Sequence, residues 1–370
     1  MSPIDPAEHA RTIAELRSPK RSERPVIAIV ARDETTEITD FLSAYGVLAR
    51  SGIADLTVVC EHDRPIRLDA LTLAPVRLHA VSLWVGAQAT FQAFDSTHPG
   101  AADYVVVPAL EPHADPVIVA WLRAQREKGA KIVSVCNGAL TLAAAGLLDD
   151  HRATAHWSGI PLLQRKHPRV RLIRDRRYVA DDGLMTTTGI TATVPAMLAL
   201  VEAIAGPAKA LEVARGLGVD GWDERHRSAD FQLTKEHRWT FLRNLLQIWR
   251  HESVGIPVVA GVDEIALALT IDVYARTGLA KVVTLGDPDA GSLSRHGLRL
   301  RPEAALQAAT MATLLPPPGE RAPAGTIDDE LAHVAKRYDL PTAELAALML
   351  EYPWPAGEQA GKARHDGRAA

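Results

Sequence analysis

Cys136 is the residue around which chemistry can be built. It follows the apolar run Lys131-Ile-Val-Ser-Val135 and leads into Asn137-Gly-Ala-Leu-Thr-Leu-Ala-Ala-Ala-Gly-Leu-Leu148, the pattern of a buried strand running directly into a helix. A side chain at such a turn stands at a nucleophile elbow, where Gly138 permits close packing. There the thiol would face a helix N-terminus, whose dipole favours the thiolate, and the Asn137 N–H would point toward an oxyanion formed on a substrate. The competing assignment is a small apolar core cysteine. His156, in Ala153-Thr-Ala-His-Trp157, is the nearest candidate base, and a lone histidine can equally be a satisfied structural residue. Asp40, in the first turn of a helix over Asp40 to Arg50, would project over the same carboxyl edge of the sheet as Cys136. It could share a proton with the thiol or activate water; capping of the helix by Asp40 or Thr39 is the alternative.

The elements that must position these residues are legible in the pattern. Pro25-Val-Ile-Ala-Ile-Val-Ala31 and Ile53 to Cys60 have the continuous apolar character of parallel strands buried on both faces, and the helix between them stops at Gly52. Val76 to Val85 predicts a strand, Tyr104 to Pro108 a central one, and Pro116 to Glu127 a helix with proline in its first turn. Strands at Arg169 to Tyr178 and Leu184 to Thr188 and a helix at Pro195 to Ala205 complete a first unit. This alternation is that of a doubly wound, flavodoxin-like α/β sheet. Residues 207–253 form a helical connector, in which the stripe Trp239, Leu242, Leu246 and Trp249 is expected to pack against a neighbouring core.

A length of 370 residues exceeds one ordinary domain, and an internal repeat offers the reason. Glu37 to Val59 aligns without a gap on Asp263 to Leu285, pairing Ala49-Arg50-x-Gly52-x-Ala54 with Ala275-Arg276-x-Gly278-x-Ala280. Ile256 to Ala260 would replace the first strand and Ala312 to Pro316 the central one, with helices at Asp328 to Tyr338 and Thr342 to Leu350. Residues 254–353 would then be a degenerate, incomplete second α/β copy, with Ala266 in the place of Asp40 and no cysteine elbow, so without catalytic groups of its own. Residues 1–24 and 354–370 are polar and unpatterned and are expected to be flexible.

Lys and Arg number 41 against 45 Asp and Glu, a formal charge of −4, which gives no cationic field for nucleic acid or anionic membrane and makes a small molecule the default partner. The basic stretch from Arg165 to Arg177 is expected to be a solvated strand edge guarded by charge. Two cysteines exclude a disulfide framework, and no signal-peptide core or long apolar run is present, so a cytoplasmic location is expected. No histidine spacing suggests a metal site, and no cofactor is expected.

Asp40-Phe-Leu-Ser-Ala-Tyr-Gly-Val-Leu-Ala-Arg, Asp103-Tyr-Val-Val-Val-Pro, Val135-Cys-Asn-Gly-Ala-Leu-x-Leu-Ala-Ala-Ala-Gly, Arg152-Ala-Thr-Ala-His-Trp and Gly183-Leu-Met-Thr-Thr-Thr-Gly together resemble the ThiJ/PfpI superfamily of class I glutamine amidotransferase-like domains. Within it, the sequence is most similar to isonitrile hydratases and the ligand-sensing domains of AraC-type regulators. The resemblance spans about residues 26–206 and implies a flavodoxin-like sandwich, frequent dimers, a nucleophilic Cys136 and an acidic partner at Asp40. It has departures. Asn137 stands where isonitrile hydratases usually carry Thr, Pro195 occupies a usual Asp position, and Ala109-Leu110 replaces a Gly-Gly pair in the loop that would offer backbone donors to the pocket. Ser158 stands where the amidotransferase triad has Glu, and residues 254–353 lack a basic recognition helix. The expected function is a cysteine-dependent hydrolase or hydro-lyase acting on a small nitrogen- or carbonyl-containing molecule through Cys136, with Asp40 or His156 carrying the proton. A non-catalytic ligand sensor and a cysteine redox sensor remain open beside it, as do a homodimer and an intrachain pseudo-dimer.

Overall fold

The apolar runs become the centre of a seven-stranded sheet. In the computed structural model, which describes residues 6–17, 24–70, 81, 83–306, 311–319 and 321–354, β1 (Val26–Val30) lies between β2 (Asp55–Cys60) and β4 (Tyr104–Val107). With β3 (Ala89–Thr90), β5 (Lys131–Ser134), β6 (Tyr178–Asp181) and β7 (Leu184–Thr187), the order is β6-β7-β5-β4-β1-β2-β3. Every neighbour is parallel except the β6–β7 hairpin. One apolar cluster gathers residues of α1 (Pro6–Leu16), α2 (Ile38–Ser51), α7 (Thr193–Ala205) and α8 (Pro207–Leu217). A second gathers those of α3 (Phe91–Thr97), α4 (Pro116–Glu127), α5 (Gly138–Ala144) and α6 (Ile160–Lys166). The result is the doubly wound parallel sheet that the alternation predicts.

A second, partial α/β region follows α9 (Lys235–Leu246). Its strands β8 (Glu252–Pro257), β9 (Ala280–Gly286), β10 (Ala304–Ala305) and β11 (Thr313–Leu314) form an all-parallel sheet ordered β10-β9-β8-β11. That is the order of β3-β2-β1-β4. Helices α10 (Glu264–Ala275), α11 (Thr326–Arg337) and α12 (Leu340–Met349) pack with it. The two regions are not separate bodies. The apolar cluster that holds Ile27 and Phe41 also holds Ile271 and Val282, and Arg299–Pro302 pairs with Leu83–Val85 in a five-stranded sheet drawn from both.

The contact between α2 and α10 is close. A Cβ on Gly46 would lie 2.9 Å from Ile265 Cγ1, and Thr39 donates to the Ala268 carbonyl at 3.3 Å. Two ion pairs bracket this contact: Arg50 reaches Asp263 at 2.5 Å and Arg276 reaches Glu37 at 3.2 Å. In the repeat alignment Arg50 corresponds to Arg276 and Glu37 to Asp263, so the two pairs are reciprocal.

Several expectations are corrected. Residues 6–16, read as part of a flexible lead-in, form α1 because Ile13 and Leu16 share one face and are buried; the Tyr104 hydroxyl donates to the Leu16 carbonyl at 2.8 Å. The connector is less helical than expected, with only a short 3₁₀ turn at Ser228–Asp230 between α8 and α9. Trp239, Leu242, Leu246 and Trp249 do not pack inward; all four are exposed. Helix α9 docks through its polar side instead, where the Asn244 carboxamide donates to the Thr277 carbonyl and to Thr342. Of the strand expected at Val76 to Val85, Leu83–Val85 is present and residues 76–80 and 82 lie outside the described residues. The expected tail beyond Trp354 also lies outside them.

Filling the α2–α10 contact should be felt. Gly46→Val is expected to lower stability by about 2 kcal/mol through overpacking against Ile265, seen as a reduced urea midpoint at unchanged slope.

Candidate active site

The chain passes from β5 through Val135 into α5 with Cys136 at φ 56°, a left-handed conformation for a residue with a side chain. Such strain costs on the order of 1–3 kcal/mol and persists only where the surroundings impose it. Here Thr187, at the end of β7, accepts the Cys136 N–H at 3.0 Å. Gly138 is required by the close approach of β4, because a Cβ there would lie 2.2 Å from the Val107 carbonyl oxygen. The elbow anticipated from the sequence is therefore formed, at the carboxyl end of the central strands.

Asp40 is fully buried at the start of α2, and its carboxyl lies beside the Cys136 thiol. Burial raises its pKa to about 7, against the Ala109 N–H, which donates to Oδ2 at 3.0 Å, the Arg276 charge and the thiol, all of which favour the carboxylate. The Ala109 amide, expected to serve the pocket, is spent on Asp40, while the Ala109 carbonyl accepts from Glu37 at 2.9 Å and Leu110 bridges to Thr36. Helix capping falls to neither Asp40 nor Thr39: the Glu37 carboxylate accepts the Asp40 N–H at 2.6 Å.

The thiol itself departs from expectation. Burial, then the Asp40 and Glu37 charges, push the Cys136 pKa well above its ordinary value, and the Asn137 N–H on the sulfur and the Arg276 charge oppose this only partly. The following helix has seven residues, too short for its dipole to outweigh full burial. Cys136 rests as a neutral thiol.

His156 is buried but occupied elsewhere. Its Nδ1 accepts from the Ser158 N–H at 3.3 Å and faces the Ser158 hydroxyl at 2.7 Å, which leaves Nε2–H to donate to the Met349 carbonyl at 3.2 Å. Burial lowers its pKa, so the ring is neutral. Neither nitrogen is left to take the thiol proton. The Asn137 carboxamide donates to Ser158 at 3.4 Å, so Ser158 links the elbow to His156.

The residues the sequence did not single out come mostly from the second region. Arg276, at the end of α10, is buried between Asp272 at 2.8 Å and Glu37 at 3.2 Å. Burial works against its charge, and Asp272 and Glu37 outweigh it. The end of α12 closes another side: the Trp157 indole donates to the Leu348 carbonyl at 3.0 Å, and Glu351 packs over Gly189, 2.9 Å from His226 and 4.0 Å from His156. Among its described residues the second region has no elbow, yet it furnishes the cation of the first. Among the described residues no cluster of His, Cys, Asp or Glu is arranged to hold a metal ion, and no described helix is long and apolar enough to cross a membrane.

An open parallel sheet with a strained cysteine elbow beside a buried acid defines the class of the first region. Residues 25–203 match the DJ-1/PfpI family. The HTH-type transcriptional regulator CdhR of Pseudomonas aeruginosa is 34% identical over 111 residues, 30% of this chain and 33% of that protein. Isonitrile hydratase of Pseudomonas putida is 38% identical over 109 residues, 29% of this chain and 44% of that protein. The chain thus spans less than half of either relative. Among solved structures, Drosophila melanogaster DJ-1beta aligns with a TM-score of 0.44 at 22% identity, covering 53% of this chain and 98% of that one.

Asp40 leaves a signature in stability. It titrates at its ordinary 3.8 when unfolded and at about 7 when folded, so between these values the folded state holds a proton that the unfolded state has released. Stability should fall as pH rises through this window, by on the order of 4 kcal/mol. Asp40→Asn should flatten the profile, leaving the share due to Glu37, and be more stable than wild type at pH 8 in urea titrations. Arg276→Met, which leaves buried carboxylates without their cation, should cost roughly 3 kcal/mol or more at that pH.

Proposed function

We propose that this chain acts as a cysteine-dependent hydrolase or hydro-lyase on a small nitrogen- or carbonyl-containing molecule. The observation that carries this reading is a thiol held at a strained elbow directly beside a buried carboxyl group. The Cys136 sulfur bonds to an electrophilic carbon while its proton passes to Asp40, whose pKa of about 7 suits both taking and returning a proton near neutrality. The Asn137 N–H, already directed at the sulfur, steadies the developing charge. Asp40 then returns the proton to the substrate heteroatom, and water completes the release. Arg276 stabilises the carboxylate during this cycle, and His156 braces the loop. The isonitrile hydratase relative supports isonitriles as first candidates.

A second reading, a ligand sensor, is favoured by two observations: the thiol is 4% exposed and protonated at rest, and several relatives are transcriptional regulators. We further infer that the second region is a degenerate duplicate of the first, forming a pseudo-dimer within one chain. The ungapped alignment, the shared strand order and the reciprocal ion pairs support this.

The test is a screen of isonitriles and small amides with wild type, Cys136→Ser and Asp40→Asn. Turnover should rise with pH through about 7 as Asp40 loses its proton, and should fall by on the order of 10³-fold or more in both variants. Turnover unchanged in Cys136→Ser would overturn the enzyme reading. Saturable binding without turnover, retained in that variant, would favour the sensor.

A further inference from the structure

Among the described residues, twelve large apolar side chains are exposed, and five of them fall between Trp239 and Trp249. Trp239 is 65% and Trp249 77% exposed, with Leu242, Leu246 and Ile248 between them. The polarity of α9 is inverted for a surface helix. Thr240 and Asn244 are its buried residues, Arg243 turns back to Asp339 at 2.9 Å, and the apolar stripe faces outward. A surface helix ordinarily buries its apolar stripe, and an exposed cluster of this kind marks an interaction site.

We propose that this face is where two copies of the chain associate. The stripe, Trp239-x₂-Leu242-x₃-Leu246-x₂-Trp249, has the same spacing in both directions. With two α9 helices antiparallel across a two-fold axis, Leu242 meets the second copy's Leu246, and Trp239 faces the second copy's Trp249 on the 3₁₀ turn Ile248–Arg250 that follows its α9. One surface is then its own complement, as a closed dimer requires. Size agrees with this occupant. The five side chains expose on the order of 700 Å², close to what one partner contributes to a standard stable interface, before any flanking polar contact is added. The other self-packing helix, α2, is already covered by α10 of the same chain, so this association does not compete with the contact that completes the Cys136 site. Tryptophans at both ends of the stripe supply the large anchors on which interface energy concentrates.

Sedimentation of the full chain over about a hundred-fold concentration range tests the proposal. Wild type should be a dimer, and Trp239→Glu and Leu246→Glu should each weaken self-association by on the order of 30-fold or more with unchanged circular dichroism. Val117→Glu, at an exposed apolar position on α4, should leave the dimer intact. Any of three results would overturn the assignment: a wild-type monomer throughout, a dimer insensitive to both α9 variants, or a monomer that instead co-sediments with phosphatidylglycerol vesicles through these residues.

Discussion

The structure depends on one buried cation. Glu37 and Asp40 stand three residues apart at the start of α2, both inside the protein, and an uncompensated carboxylate there would cost several kcal/mol. Arg276 answers this from α10, bonded to Glu37 and steadied in turn by Asp272. Glu37 ties several levels of structure to that contact. Its side chain caps α2, its N–H fixes the Ala109 loop, and its own short strand with Thr36 begins a sheet that reaches into the second region. The acid and the helix that carries it are thus held by a charge whose source lies more than 200 residues away in sequence.

This arrangement explains why the resting thiol is protonated and why the neighbouring carboxyl is not an ordinary acid. Removing water from both groups raises both pKa values, so the pair is poised to exchange a proton rather than to hold a free thiolate. An exposed cysteine at a long helix N-terminus would have reached reactivity by the opposite route, through a depressed pKa. The end of α12 packs against Trp157 and Gly189, beside the loop that Ser158 links to the elbow.

Much of the first region was legible because its signals are local. Continuous apolar runs mark strands covered on both faces, and Val135-Cys-Asn-Gly leaves no residues for a loop between strand and helix, so the elbow could be placed from spacing alone. What escaped is long-range or directional. The alignment placed Arg50 opposite Arg276 as a repeat, but only the packing of α2 on α10 turns that equivalence into a crossed pair of salt bridges. The stripe on α9 identifies a face without saying whether that face turns inward, and buried Asn244 decides the matter in an unexpected direction. His156 connects to the elbow through Ser158, yet its ring nitrogens are committed to Ser158 and Met349, and no pattern in a sequence reports where a ring nitrogen points. Ala109 is a comparable case, since a backbone amide carries no sequence signature of its acceptor.

Covalent continuity between the two regions has a consequence for how the site responds to its surroundings. A charge cluster completed by an arginine from a separate molecule loses that arginine on dilution, because its occupancy follows the concentration of that molecule. Arg276 is tethered to the charge cluster it completes, so its effective concentration is fixed by the fold and not by expression level. The arrangement also leaves one elbow cysteine for the two α/β regions, because the position matching Asp40 is Ala266 and no cysteine follows it. The stoichiometry of labelling at Cys136 is accordingly one per chain.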